Sequence, residues 1–191
     1  MKYFLLLFTL SLTGCLLTVN SRQPFYTDAT RVSLPALVGG WTDCAALTNR
    51  STPPAETDIG WITQGKTPLQ LRVTVGSNDV FTWVFFKAGA NLYCDWLADD
   101  AQDPYHHLYR ANLTGNQLQL AQLDGDWLTN AIARGQVKLP APERTANSNW
   151  VFNATSTQWI NFLEHLGTNT AAFSKEKTCL TRRYNFAPAG R

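Results

Sequence analysis

The chain has 191 residues and a formal net charge of +2 at pH 7, and 45% of its residues are hydrophobic. This length and composition fit one globular domain with a substantial core. A nearly neutral chain lacks the basic surface that phosphate binding requires, which argues against nucleic acid as a partner. Seven Trp and ten Phe residues predict a large aromatic core or an aromatic-lined cavity.

The amino terminus has the layout of a secretory signal. Lys2 supplies a positive charge, and residues 3–10 are almost wholly apolar. This run is too short to span a bilayer, which needs about 20 residues. Small residues Thr13 and Gly14 follow, and the next residue is Cys15. We therefore set residues 1–14 aside from the fold as a signal peptide.

The Leu-Thr-Gly-Cys sequence at residues 12–15 resembles the lipobox of bacterial lipoproteins. The resemblance implies cleavage before Cys15, lipidation of its thiol and acylation of the new amino terminus, and several acyl chains anchor a protein stably. Leu16 follows the cysteine, where an acidic residue would imply retention at the inner membrane. We expect a lipid-anchored envelope protein at the outer membrane, facing the periplasm.

The remaining chain is predicted to contain a tether and one domain. Residues 15–36 are polar and irregular, with Pro24 and Pro35, and we interpret them as a lipidated tether. Residues 37–191 form the predicted domain. Alternating apolar residues and turn signals, such as Gly115-Asn116, predict strands within it. The predicted strands are 37–46, 58–63, 69–75, 80–87, 91–97, 105–113, 117–123, 149–154 and 177–185.

Two helices are predicted late in the chain. Residues 124–135 begin with acidic residues and end at Gly135, as helices commonly do. Residues 155–167 begin with Thr155 and Gln158 at the spacing of a capping box and end at Gly167. The fold class is therefore mainly β with two short helices. Closing the strands into an antiparallel barrel of about eight or nine strands removes the exposed edges of the sheet.

The Gly39-Gly40-Trp41 start of the first strand and Arg182 in the last strand resemble the lipocalin and wider calycin pattern. In that pattern the Trp plugs one end of the barrel and the Arg packs over it, and the barrel can hold a small ligand. The resemblance implies a lipocalin-like barrel with Trp41 and Arg182 in contact, although Trp41 could also be an ordinary core residue.

Three cysteines remain once Cys15 is assigned to the lipid, and an oxidising envelope permits one disulfide among them. The sequence allows any of the three pairings of Cys44, Cys94 and Cys179. If Trp41 lies opposite Arg182 in an unbulged antiparallel ladder, then Cys44 lies opposite Cys179 and points to the other face. This register favours the Cys44–Cys179 pairing.

Several short segments also resemble a set of small bacterial lipoproteins whose pattern carries no known chemistry. They are the residues 92–97, the Pro104/His106/Leu108/Arg110 segment, and residues 123–128 and 154–163. This resemblance implies a fold and a location. It supplies no catalytic residue, cofactor or metal ligand, and none is assigned.

Two groups of residues contain side chains that are common in chemical sites. Asp99, Asp100, Asp103, His106 and His107 could bind a metal, but the acids are typical of a loop and the two histidines point to opposite faces of a strand. Cys94 could pair in space with His106 or His165, but a lone buried thiol is commoner than a nucleophile.

Two non-enzymatic functions therefore remain. The first is an envelope interaction module with a filled barrel, and the alternative is a barrel that binds a small apolar ligand or lipid. The aromatic residues near 81–86, together with Trp96, favour the filled barrel and hence the interaction module.

Overall fold

A computed structural model describes residues 18–45, 59–76, 79–99, 104–145 and 150–185. Within these residues it contains strands and two α-helices. The strands are β1 (Asn20–Ser21), β2 (Gly39–Asp43), β3 (Gly60–Gln64), β4 (Leu71–Val75), β5 (Asp79–Ala88), β6 (Asn91–Ala98), β7 (His106–Thr114), β8 (Gln117–Leu123), β9 (Glu143–Arg144), β10 (Trp150–Phe152) and β11 (Phe173–Tyr184). The helices are α1 (Gly125–Ala133) and α2 (Ser156–Leu166).

Eight strands form a closed antiparallel barrel. Strands β2 to β8 pair in chain order, and β11 pairs with both β8 and β2, which closes the ring. The predicted fold class, a mainly β chain with two helices and a lipocalin-like barrel, is confirmed. Most predicted strands agree with the observed ones to within two or three residues, but β11 begins at Phe173, four residues earlier than expected.

Glycine-containing turns fix the register of two hairpins. Ala88 pairs with Asn91 and Thr114 pairs with Gln117, so each loop has two residues. The first loop residues, Gly89 and Gly115, have φ of 58° and 56°. This left-handed conformation is the one that two-residue hairpin turns need and that glycine adopts without steric cost.

Both helices begin with side-chain caps. The Asp124 carboxylate accepts the backbone N–H of Trp127 at 3.0 Å. Thr155 and Gln158 form the reciprocal capping box that the sequence predicted. Gly167, with φ of 55°, ends α2. The helices cover the outside of the barrel wall, and their apolar faces belong to one continuous cluster with it.

The barrel wall separates two hydrophobic cores, because successive residues of a strand point to opposite faces. The inner core lies inside the barrel and contains Trp41, Phe85, Cys94 and Leu118 among its buried residues. The outer core lies between the wall and the helices. Its buried members include Phe86, Tyr93, Leu108, Phe152, Trp159 and Leu163.

The predicted tether is wrong for residues 18–36, which pack against the barrel. Strand β1 pairs with β7 and β10. Val19 is 1% exposed and Phe25 is fully buried, with the Phe25 ring 4.6 Å from that of Trp159. These residues have no strand or helix periodicity. They are ordered by apolar burial and by their pairing with distant strands, which a local pattern does not reveal.

Candidate functional site

One end of the barrel is closed by the chain that precedes β2. We call the end where β2 begins and β11 finishes the closed end. Residues Pro35–Leu37 form a short 3-10 turn there, and Leu37 is fully buried. The indole N–H of Trp41 donates to the Leu37 carbonyl at 2.8 Å. This bond fastens the turn to the inside of the barrel.

Trp41 and Arg182 lie together at this end. They are direct partners in the β2–β11 ladder, and the Arg182 guanidinium carbon is 4.9 Å from the centre of the Trp41 ring. This is a cation–π distance. Gly39 and Gly40 precede Trp41, and a side chain at Gly39 would overlap the Tyr184 carbonyl oxygen. The two glycines therefore allow β11 to approach β2 closely.

The structure joins Cys44 and Cys179 by a disulfide with a Cα–Cα distance of 5.4 Å. The Cys44 N–H also donates to the Cys179 carbonyl at 2.9 Å. The disulfide follows the last residue of β2 and therefore lies towards the other end of the barrel from Gly39. Cys15, the predicted lipid attachment site, lies outside the described residues.

The end of the barrel opposite the closed end is hollow. We call it the open end; β2 finishes there at Asp43 and β4 at Val75. It contains a cavity of about 300 Å³. The apolar side chains that line it are Trp41, Ile62, Val73, Val75, Phe81, Trp83, Trp96, Tyr109, Leu120 and Leu180. The expectation of a completely filled barrel is therefore wrong for this end.

Strand alternation explains why the aromatic residues do not fill the barrel. Phe81, Trp83 and Phe85 point inward, whereas Phe86 belongs to the outer core. Of the inward three, Phe85 lies beyond the cavity, and the other two line it. The aromatic residues at positions 81–86 therefore lie in three environments: the cavity, the packed part of the inner core and the outer core.

The cavity walls are braced by ring contacts. The Phe81 and Trp96 rings are perpendicular at 87°, with centroids 4.8 Å apart, and the Tyr109 ring lies 5.3 Å from Trp96. Edge-to-face pairs of this kind are favourable. The indole nitrogens of Trp83 and Trp96 are buried without a hydrogen-bond partner. Because protein atoms cover both nitrogens, they present no donor to the cavity.

Carboxylates mark the rim of the open end. Asp43 lines the cavity, is exposed, and accepts the Ala45 N–H at 2.6 Å. Asp79 pairs directly with Val75, a cavity residue, and is therefore on the inward face of its strand. The residues that line the cavity in the described part of the chain include no Lys or Arg.

A second polar centre lies on the outer wall. Asp95 is 1% exposed. One carboxylate oxygen lies 2.8 Å from His106 Nδ1, and the other accepts the Phe25 N–H at 3.0 Å. The carboxylate thus fastens the amino-terminal segment to β6 and β7. No pattern in the sequence predicts this role, and the local signal is an acid inside an otherwise apolar strand.

The hydroxyl of the serine that pairs with His106 in the sheet is held by hydrogen bonds. Ser21 is the strand partner of His106, but it is fully buried. Its hydroxyl donates to the Gln23 carbonyl at 2.7 Å and accepts the Trp159 indole N–H at 3.1 Å. Ser21 is therefore buried and engaged in structural hydrogen bonds.

The chemical pairs considered from the sequence are not brought together. Cys94 faces the inner core and is fully buried, whereas His106 lies on the outer wall. Burial, reinforced by the Asp95 charge, raises the pKa of the Cys94 thiol well above its ordinary value, which keeps the thiol protonated and unreactive. His165 is on α2, where its ring nitrogen Nδ1 lies 2.6 Å from the Asn161 carbonyl oxygen.

The aspartate and histidine cluster near residue 100 is only partly described. Asp100 and Asp103 lie outside the described residues. His106 is bound to Asp95, while His107 faces the Trp96 ring on the other side of the strand. The described ranges contain no group of three or more His, Cys, Asp or Glu side chains that could hold a metal ion.

A groove of about 770 Å³ lies between the two helices on the outside of the barrel. Its apolar residues are Trp127, Val137, Phe162 and Leu166. Polar side chains, including Gln158 and Asn161, border it. This groove is larger and more polar than the cavity at the open end.

The comparisons with known proteins give no relative. The chain matches no protein-family model, no curated protein and no solved structure at a significant level. Neither helix in the described part of the chain is long and apolar enough to cross a membrane. The geometry of the barrel is therefore the basis for the functional argument.

Proposed function

We propose that the barrel binds a small, largely apolar molecule in the cavity at its open end. The observation that carries this proposal is a preformed cavity of about 300 Å³ with ten apolar side chains in its lining, five of them aromatic. Small-molecule sites typically have volumes from about 300 Å³ upward and predominantly apolar walls. Ligand binding therefore replaces the interaction module with a filled barrel as the preferred hypothesis.

Two features make the cavity suitable for a ligand. The closed end is packed around Trp41 and Leu37, so a bound molecule rests on a firm floor. The disulfide between Cys44 and Cys179 joins the two strands that complete the barrel beside the open end. A site held in shape before binding loses less entropy when the ligand arrives.

We also propose that the barrel is displayed on a membrane through lipid on Cys15. The Leu-Thr-Gly-Cys sequence after the apolar segment supports this anchor, and an outer-membrane location follows from Leu16. Metabolic labelling with a palmitate analogue tests it. The wild-type protein is expected to take up label and to sediment with membranes, and Cys15→Ser is expected to lose both properties. A labelled Cys15→Ser protein would reject the anchor.

Ligand binding can be tested with toluene as a neutral probe. Titration followed by NMR should shift resonances of cavity residues in the wild-type barrel. Val73→Phe adds bulk inside the cavity and is expected to abolish binding. Thr74→Phe is the matched control, because Thr74 is the adjacent residue on β4 and points to the outer face of the wall. Equal binding by the two variants, or no binding by the wild-type protein, would contradict the proposal.

The helix groove supports a second candidate function, a non-enzymatic envelope interaction module. Trp127, Phe162 and Leu166 offer apolar contacts in an open groove. Native mass spectrometry of protein taken from its own host separates the two functions. A co-purifying small molecule favours the cavity, whereas a protein partner that is lost in Leu166→Glu favours the groove.

A further inference from the structure

Among the residues that the structure describes, the charged side chains on the inward face of the open end are acidic. Asp43 lines the cavity, and Asp79 lies on the inward face of β5 at the rim. No Lys or Arg side chain contributes to the cavity among the residues that the structure describes. A cleft bordered by one sign of charge raises the local concentration of ligands of the opposite sign and repels the others. We therefore expect fatty acids and other carboxylates to bind this cavity poorly.

The cavity walls offer aromatic faces to a cation. The aromatic residues in the lining are Trp41, Phe81, Trp83, Trp96 and Tyr109. A positive charge over an aromatic face is attracted by the ring quadrupole, and aromatic cages bind methylated ammonium groups in this way. Trp41, at the floor of the cavity, already makes such a contact with Arg182, so the faces left for a ligand are those of the other four rings. The buried indole nitrogens leave the walls without a competing N–H donor.

We propose that the ligand is a small organic cation of the methylated-ammonium class. This inference rests on the proposed function and adds a charge preference to it. The apolar part of the cation occupies the cavity, its methylated nitrogen contacts the aromatic faces, and the Asp43 and Asp79 carboxylates balance its charge at the rim. A methylated ammonium group suits such a site because it is weakly hydrated and needs no hydrogen-bond acceptor.

A pair of probes with the same shape isolates the charge. Benzyltrimethylammonium and neopentylbenzene differ by the exchange of a cationic nitrogen for a carbon. We expect the cation to bind the wild-type barrel about tenfold more tightly, as cation–π contacts and two nearby carboxylates together predict. Isothermal titration calorimetry at low salt measures both affinities.

Two sets of variants complete the test. Asp43→Asn combined with Asp79→Asn is expected to weaken binding of the cation about fivefold and to leave neopentylbenzene unchanged. Asp126→Asn, which removes the same charge from the exposed first turn of α1, is the control and should change neither affinity.

The outcomes separate the two proposals. Tighter binding of neopentylbenzene, or equal binding of both probes, would overturn the cation preference while the cavity function stands. An unchanged cation affinity in the double variant would also overturn it. Failure of both probes and of toluene to bind would reject the cavity function, and the cation preference with it.

Discussion

The two halves of the barrel interior are built from similar residues but differ in how they are packed. At the closed end, Phe85, Leu118 and Leu37 fill the space and are at most 2% exposed. At the open end, Phe81 and Trp96 brace one another beside a cavity that Trp83 also lines. The difference shows that aromatic content alone does not decide whether a barrel is filled. Whether the interior is filled depends on the position of each ring along the barrel axis and on the turn around Leu37 that closes one end.

The largest contrast between the halves is expected for aromatic truncation. Phe85→Ala should lower the free energy of unfolding by about 3–5 kcal/mol, because it creates a cavity in a packed core. Phe81→Ala should cost about 1–2 kcal/mol, because the truncation enlarges a void that already opens to solvent. Urea denaturation measures both. Equal losses would show that the halves are packed alike.

Loss of the disulfide should have the next largest effect. Cys44→Ser combined with Cys179→Ser is expected to lower the free energy of unfolding by about 2–5 kcal/mol, because the bridge links residues 135 apart in sequence. Because the bridge lies beside the open end, the double variant should also bind toluene more weakly. Cys94→Ala, in the filled half, is the control and should leave toluene affinity unchanged if the halves are independent.

Added volume should be tolerated only in the hollow half. Ala111→Phe overfills the inner core, where Ala111 is 7% exposed, and should cost about 1–3 kcal/mol. Val73→Phe adds its ring to the cavity and should change the free energy of unfolding by less than about 1 kcal/mol. Thermal unfolding compares them. A larger loss for Val73→Phe would mean that the cavity walls cannot accept the ring.

The smallest expected effect is a loss of stability at alkaline pH. Burial raises the pKa of Tyr26 and Tyr93 above the ordinary 10.0, and that of the Cys94 thiol well above 9.0. Each group favours the folded state while it is neutral. This contribution is complete below the unfolded-state pKa and is lost as pH rises through the folded-state pKa.

Unfolding measured at increasing pH checks this prediction. Stability should fall above pH 9 to 10 in the wild-type protein, and Tyr93→Phe should reduce the slope. Cys94→Ala, in the filled half of the barrel, should also reduce the slope of stability against pH. Phe81→Ala, in the hollow half, should leave that slope unchanged. A pH-independent stability through this range would contradict the burial of these groups.

Local chemistry was sufficient to predict much of the barrel. Glycine turns, alternating apolar residues and the Thr155–Gln158 capping box gave the strands and helices, because each acts within a few residues. The resemblance to the calycin pattern implied the contact between Trp41 and Arg182, and this contact is consistent with the first and last strands of a closed barrel being neighbours. In the β2–β11 ladder this pairing persists from Leu180 to Arg182, before a bulge at Tyr184.

Contacts between residues that are far apart in sequence could not be predicted from local patterns. The hydrogen bond from the Phe25 N–H to the Asp95 carboxylate joins residues 70 apart in sequence. The sequence around either residue does not predict this bond. The cavity was missed because its volume depends on the relative heights of Phe81, Trp83 and Phe85 inside the barrel. Alternation shows which face a side chain occupies but not how much space remains between side chains on that face.

If Cys15 carries the lipid proposed above, the docking of the amino-terminal segment onto the barrel limits how far the barrel can reach from a membrane. Thr18 already bridges Asp124, and only three peptide units separate it from Cys15, a span of at most about 11 Å. A lipid on Cys15 would thus hold the barrel wall at the headgroup layer. A flexible tether of about twenty residues would let the barrel move much farther from the membrane. Any molecule or partner that the barrel meets would have to come to the membrane surface.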